Sequence, residues 1–285
     1  MGLLGILTMQ SCSETLIEEN SGAVKIRMNV VSFDQVPFSK VVACATKGAS
    51  STGNCTKVSF AVYSDQDGVL TKQQENQDAG SEGFGSATFN LEEGTYRVIV
   101  IAHGGDSNPT MTNPSKITFS NKDGLKITDT FLYSADVEIT KDTRELNLDL
   151  KRVVAMFQIR LDDEDLPEGV KQLRFDYTGG SSTIDGMTGL GCVNSKQSET
   201  LDCQPGTMEY GVYTFIRSDS NTLKVKVSAL DGSGAVLKEM ELQDVPVTCN
   251  YITRYTGKMF ANEILTSAFS VTLDGEWAGT NDYTF

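Results

Sequence analysis

Apolar residues recur at every second position through much of this chain, and this alternation restricts the possible folds more than any other feature. In one segment Val24, Ile26, Met28 and Val30 alternate with polar, mostly charged residues. The same pattern recurs at Val58–Val62, Ala87–Leu91, Leu223–Val227 and Phe269–Leu273. A period of two is typical of β-strands with one buried face and one face in water.

Turn-forming residue pairs separate these segments, among them Glu93-Gly94, Asp123-Gly124 and Asp231-Gly232. Asp and Gly adopt the backbone conformations that tight turns require. No long window has an apolar stripe at helical spacing. The sequence therefore predicts an all-β protein built of β-sandwiches.

The alternation changes phase near the middle of the chain. Apolar residues occupy even positions over 146–150 and odd positions over 153–161. Because a slip of one residue turns every side chain to the opposite face, either a bulge lies at Lys151-Arg152 or the chain enters a second core there. We favour the second interpretation, which predicts an N-terminal sandwich over residues 24–151 and a C-terminal one over residues 152–285.

The charge balance restricts the partners. The chain has 38 acidic and 24 basic residues, a formal net charge of −14. An acidic surface opposes binding to phosphate backbones and to anionic lipid headgroups, both of which need clustered Lys and Arg. We expect no nucleic-acid partner.

A short apolar run at the start of the sequence ends at Cys12 and is followed at once by polar residues. The run is too short to span a bilayer but suits the apolar core of a secretory signal. It resembles a bacterial lipoprotein signal, which predicts a signal remnant over residues 1–11, lipidation at Cys12 and a tether over residues 12–23. An apolar N-terminal strand with an incidental cysteine is the alternative.

The other cysteines form two pairs with the same spacing, Cys44 with Cys55 and Cys192 with Cys203, and a solitary Cys249. In an exported protein, pairs that bracket polar, glycine-rich stretches favour two local disulfides, although four cysteines also allow other connectivities. Metal binding would need closer cysteines or nearby histidines, so we predict no metal and no cofactor. Cys249 alternates with apolar residues, which predicts a buried free thiol.

Catalytic constellations are absent from the sequence. His103 is the single histidine, and its place between an apolar run and two glycines predicts a turn at the end of a strand. The acidic run over residues 162–165 is typical of a solvated turn, and the glycine-rich stretch over residues 179–191 lacks phosphate-binding spacing and predicts a long mobile loop. We therefore predict that the protein is not an enzyme.

Several segments, taken in order and together with Cys12, resemble one known family. They are Val58–Leu70, Phe89–His103, Leu148–Leu161, Asp244–Phe260 and Phe269–Trp277. The chain resembles Bacteroidetes fimbrial subunits, the fimbrillin-like lipoproteins, and in particular their FimB-type members.

The resemblance implies two tandem transthyretin-like Greek-key β-sandwich domains in a surface-exposed fimbrium that supports cell adhesion. It implies attachment to the outer membrane through a lipid anchor, with other fimbrial subunits and a host or bacterial surface receptor as partners. Stalk, anchor and tip roles all stay open.

Family members assemble by donating a terminal strand into a groove of the next subunit, in some cases after a trypsin-like protease removes an N-terminal strand. Here the removable strand would be residues 24–33, and the candidate cut points are Arg27, Lys40 and Lys47. The candidates for strand exchange are Val24, Ile26, Met28, Val30, Phe269, Val271 and Leu273.

A surface lipoprotein that binds glycan through exposed aromatic residues is the alternative function. Trp277, Tyr283 and Phe285 share one phase of alternation and could form a surface on which sugars stack. A closing strand buried against the second core explains the same three residues.

Overall fold

The computed structural model describes residues 22–34, 55–66, 69–260 and 270–272, and these residues form strands and turns. The prediction of an all-β protein is confirmed. Within these ranges no helix is long and apolar enough to cross a membrane.

One seven-stranded sheet contains most of the first half of the chain. The strands before residue 153 are β1 (Val24–Asp34), β2 (Lys57–Gln66), β3 (Val69–Asp78), β4 (Ser86–Leu91), β5 (Gly94–His103), β6 (Thr110–Asn113), β7 (Lys116–Thr118), β8 (Thr130–Ile139) and β9 (Glu145–Arg152). The sheet has the order β3-β2-β5-β8-β9-β1-β4, and all neighbours are antiparallel except β1 and β9.

This sheet turns a corner between β8 and β9. These strands pair only through Phe131 with Arg152 and Leu132 with Lys151. Side chains from both arms of the sheet then meet in one core, to which β5 contributes Val98, Val100 and Ala102. The first half is therefore a sandwich made from one folded sheet.

Two four-stranded sheets form the second half. Its strands are β10 (Val154–Leu161), β11 (Gln172–Thr178), β12 (Thr183–Asp185), β13 (Leu190–Gly191), β14 (Gln197–Asp202), β15 (Glu209–Phe215), β16 (Thr222–Leu230), β17 (Val236–Pro246), β18 (Ile252–Gly257) and β19 (Ser270–Thr272). The sheets have the orders β15-β10-β18-β19 and β14-β11-β16-β17. In the core between them, the Phe157 ring contacts Phe175 and Tyr255 at centroid distances of 6.2 and 5.8 Å.

The two halves repeat one pattern of strand pairing. In the first, β1 pairs antiparallel with β4 and parallel with β9, while β2 joins β3 and β5, and β5 joins β8. In the second, β10 pairs in the same way with β15 and β18, while β11 joins β14 and β16, and β16 joins β17. Corresponding strands follow the same chain order, so β9 in the first half corresponds to β18 in the second.

A small third sheet joins the halves. Its order is β13-β12-β7-β6, so a hairpin from the first half pairs with one from the second through Thr183 with Thr118 and Ile184 with Ile117. Behind it lies a hydrophobic cluster with residues from both halves, including Ile99, Val153 and Phe215. The glycine-rich stretch over residues 179–191 is part of this sheet, so the prediction of a long mobile loop is wrong there.

The phase change falls between β9 and β10. Leu148 and Leu150 line the first core, whereas Phe157 and Ile159 line the second. Between them, Val153 belongs to the joining cluster. Folding of residues 24–151 and 152–285 as separate domains stays a prediction.

Candidate strand-exchange site

Strand β1 fills a groove between two other strands of the first sandwich. It pairs along one edge with β4, from Val24 to Asn29, and along the other with β9, from Arg27 to Asp34. Ile26 and Met28 are completely buried in the first core, and Val24 and Val30 are partly buried against it. The alternation that predicted a core-facing strand here therefore describes its packing.

A bulge gives this groove a particular shape. The register of β1 against β9 shifts between Val30 and Ser32, and the intervening Val31 is 51% exposed. Because of the shift, Phe33 rather than an even-numbered residue faces the core, where its ring packs edge-to-face on Phe131 at 5.1 Å. A strand that replaced β1 would have to provide the same change of phase.

The candidate cleavage points differ in what the structure shows of them. Arg27 has an exposed side chain, but it lies inside β1 and pairs with both Thr88 and Glu145. A protease binds its substrate as an extended segment with free backbone groups, so the pairing argues against a cut at Arg27. Lys40 and Lys47 lie outside the described residues.

A buried ion pair lies where β9 ends and the second half begins. The Arg152 side chain is completely buried, and its Nε and Nη2 donate to the two carboxylate oxygens of Asp129 at 2.7 and 2.9 Å. Its Nη1 donates to Asn250 Oδ1 at 2.9 Å, and its guanidinium lies 4.8 Å from the Phe131 ring centre. Arg152 thereby connects a loop of the first half to the turn before β18.

Asn250 has a strained backbone that this contact helps to hold. Its φ is +63°, in the left-handed region that non-glycine residues seldom adopt. Its N–H donates to the Val154 carbonyl at 2.8 Å while its side chain accepts from Arg152. Sequence analysis placed the phase change at Lys151-Arg152 but missed the ion pair, because nothing in the sequence links residue 152 to residues 129 and 250.

His103 ends β5, as its position in the sequence predicted. The side chain is fully buried, its Nδ1 accepts the Gly105 N–H at 3.1 Å, and its ring packs on Phe119 at 5.4 Å. Burial, with a smaller effect of the Lys57 charge, lowers the pKa of His103 to about 4. The imidazole is therefore neutral at pH 7 and acts as part of the core.

The structure contradicts the predicted disulfide between Cys192 and Cys203. Both are free thiols, and the extended strand β14 lies between them. A strand of this length separates its ends by about 20 Å, whereas a disulfide needs Cα atoms closer than about 7 Å. Nearness in the sequence was misleading because the intervening residues form a strand instead of a loop.

The remaining cysteines also differ from expectation. Cys55 is a buried free thiol, and its predicted partner Cys44 lies outside the described residues. Cys249 is free, as predicted, but it is exposed instead of buried, with its sulfur 3.4 Å from the Arg152 carbonyl oxygen. The alternation around Cys249 failed because β17 ends at Pro246, before the cysteine.

The predicted donor segment is described only at its centre. Strand β19 pairs antiparallel with β18 of the same chain through Val271 with Tyr255 and two neighbouring pairs. Phe269, Leu273 and the aromatic residues Trp277, Tyr283 and Phe285 lie outside the described residues, as does Cys12.

A polar cleft of about 480 Å³ lies beside the junction, between the segment before β8 and β14. Its lining includes Phe119, Lys126, Lys196 and Glu199. Burial raises the pKa of Glu199, whose carboxylate accepts the Lys126 N–H at 3.2 Å through both oxygens. Among the described residues, no group of three or more His, Cys, Asp or Glu side chains could hold a metal ion.

A model of a family of unknown function, DUF6562, matches residues 18–285. The chain belongs to this family. Among curated proteins, none matches this member of DUF6562.

Solved structures resemble this DUF6562 member in fold. A putative adhesin from Bacteroides ovatus is 12% identical, with a TM-score of 0.50 over 94% of this chain and 97% of its own. Putative polysaccharide binding proteins from Bacteroides thetaiotaomicron are also 12% identical, with a TM-score of 0.51 over 92% and 98%. The fimbrial anchor protein Mfa2 from Porphyromonas gingivalis aligns at 11% identity and a TM-score of 0.47, over 92% and 100%.

The first two structures show that this chain shares the fold of Bacteroides proteins named as adhesins and polysaccharide binders. The resemblance that the sequence gave to fimbrillin-like proteins is thereby confirmed at the level of the fold.

Proposed function

We propose that this chain is a structural or anchor subunit of a surface fimbrium, assembled by β-strand donation and supporting adhesion. The observation that carries the proposal is the position of β1. It is the first described strand of the chain, yet it lies inside a sheet, between β4 and β9, and fills the first core. Its removal would leave a groove with an unpaired backbone edge on each side.

Such a groove would bind a replacement strand strongly. Burying about four apolar side chains is worth roughly 6–12 kcal/mol before the cost of ordering the strand is subtracted. The two edges would add backbone hydrogen bonds, and unpaired edges beside an apolar groove are known sites of strand addition. In this proposal, release of β1 follows cleavage at Lys40 or Lys47, since Arg27 is held within the sheet.

The rest of the proposed function concerns location. Cys12 carries a lipid that holds the protein at the outer membrane, and the two halves are tandem transthyretin-like domains exposed at the cell surface. The repeated strand pairing supports this domain assignment. The surface partners are further fimbrial subunits, with adhesion to a host or bacterial receptor as the outcome.

Surface fractions of cells that make this protein test the proposal. Samples would be dissolved in SDS with and without boiling and probed with an antibody to the chain. Strand-exchanged polymers resist SDS because every link buries a full strand, so we expect a ladder that collapses to one band on boiling. One band in both samples would contradict assembly by strand exchange.

A further inference from the structure

Strand β19 has no counterpart in the repeated arrangement of the two halves. Seven strands of each half correspond in order and pairing, and β19 is added after the last of them. It covers an edge of β18, pairing with Arg254, Tyr255 and Thr256. The second half therefore shows what a strand does when it lies beside β18.

The corresponding edge in the first half belongs to β9. One edge of β9 pairs with β1 over most of its length, and the other pairs with β8 only at Lys151 and Arg152. No other described residue pairs with the edge from Glu145 to Leu150. β8 and β9 are joined by the short turn at residues 140–144 but separate beyond it, because they belong to opposite arms of the folded sheet.

Apolar side chains line the opening between these two strands. Tyr133 and Val137 of β8 and Leu146 of β9 face the first core but are only partly buried. By contrast, the residues that β5 turns toward the same core, Val98 and Val100, are completely buried. The opening thus combines unpaired backbone groups with apolar surface that a strand would cover.

We propose that this opening, between β8 and β9 of the first sandwich, receives the β19 segment of a second copy of this chain. The inference rests on the proposed function, because it names an acceptor for strand donation. It concerns the intact chain with β1 in place and needs no cleavage. The occupant follows from the repeat, since β19 covers the equivalent edge of β18 within its own half.

The donor suits the acceptor in pattern and charge. Phe269, Val271 and Leu273 alternate in sequence and would cover the apolar opening, while Ser270 and Thr272 would face water. The water-facing neighbours on β9 include Glu145 and Asp149, both acidic. Uncharged Ser and Thr beside them avoid the repulsion that acidic residues at the same positions would cause.

The register follows from the two parallel pairs of strands. Tyr255 of β18 lies opposite Ile159 of β10, and Leu148 of β9 lies opposite Val30 of β1. If Leu148 takes the place of Tyr255, Val271 of the donor lies beside Leu148. Because the added strand is antiparallel, Thr272 then lies beside Asn147, whose side chain is exposed.

Cross-linking between two differently labelled copies tests this register. One copy carries Asn147→Cys and the other Thr272→Cys, in full-length chains in which the other cysteines, apart from buried Cys55, are serine. Mild oxidation should give a disulfide-linked dimer of the two labels. The matched control replaces Asn147→Cys with Lys72→Cys, an exposed position on β3, and should give no dimer.

Access of a maleimide reagent to Asn147→Cys provides a second measurement. We expect rapid labelling in the dilute monomer and slower labelling as concentration rises and the edge becomes covered. Protection already present in the monomer would show that the chain's own residues cover β9 and would overturn the inference.

Two outcomes separate this inference from the proposed function. SDS-resistant ladders without the Asn147–Thr272 cross-link would leave assembly by strand exchange intact and would show that β9 is not the acceptor. The cross-link in purified protein without ladders at the cell surface would support the β9 acceptor and contradict the fimbrial role.

Discussion

Arg152 holds Asp129 through two hydrogen bonds at the point where the chain passes from the first sandwich to the second. The Arg152 side chain is fully buried and that of Asp129 is 16% exposed, so water does little to screen the pair. The third hydrogen bond of the guanidinium goes to Asn250, in the second half. One side chain therefore fixes how the two halves meet.

Replacement of Arg152 should destabilise the protein strongly. Arg152→Met would leave the Asp129 carboxylate buried without its partner, and breaking a buried pair in this way costs about 3–5 kcal/mol. Urea denaturation followed by circular dichroism would measure the loss. Arg160→Met is the control, because Arg160 and Glu209 form an exposed pair at 3.8 Å whose loss should cost no more than about 1 kcal/mol. Equal effects of the two substitutions would contradict the assigned role of Arg152.

His103 should make the stability depend on pH. Its pKa is about 4 in the folded chain and about 6.5 when unfolded, so the unfolded chain binds more protons between these values. The stabilisation is complete above pH 6.5 and decreases as pH falls toward 4, by about 3 kcal/mol in total. Denaturation of wild type and His103→Gln at pH 7 and pH 4.5 would show this as a smaller pH dependence in the variant. An unchanged pH dependence would contradict the burial of a neutral imidazole.

The described cysteines should react with alkylating agents according to their exposure. Exposed Cys192 and Cys249 should be modified in the native protein without a reducing agent, and partly buried Cys203 more slowly. Cys55 should react only after denaturation, because burial raises the pKa of its thiol and blocks access. Peptide mass spectrometry reads the result. A Cys192–Cys203 disulfide in unreduced peptides would contradict the structure.

Cys12 should carry the lipid that attaches the protein to the membrane. Cells fed labelled palmitate should label the wild-type chain, whereas Cys12→Ala should lose the label and its membrane association. Cys192→Ala, which removes an exposed cysteine elsewhere, should keep both. Equal labelling of the Cys12 variant and the wild type would rule out this site.

Local patterns in the sequence predicted local structure well. The alternation at residues 24–33 identified β1, and the position of His103 before two glycines identified the end of β5. Each of these depends on neighbouring residues, which alternation and turn chemistry describe directly. The fold class followed from the same information.

Pairing between distant segments could not be predicted in this way. The segment after Gly179 became part of a sheet because its partner, β7, lies in the other half of the chain. Gly179 itself is required by close packing, since it has a φ of +100° and a Cβ there would lie 2.2 Å from the Thr222 carbonyl oxygen. The contact of Arg152 with Asp129 likewise depends on the folded corner between β8 and β9, which no short pattern encodes.

Strand donation by the C-terminal segment is the central claim, and a double variant tests it most directly. Val271→Asp with Leu273→Asp places charges on the apolar face of the donor, whereas Ser270→Lys changes the opposite face. Unboiled surface fractions should show SDS-resistant ladders for the wild type and for Ser270→Lys. The double variant should be exported and folded but should run as a single band. Normal ladders from the double variant would contradict the account and leave β19 as an ordinary edge strand of the second sandwich.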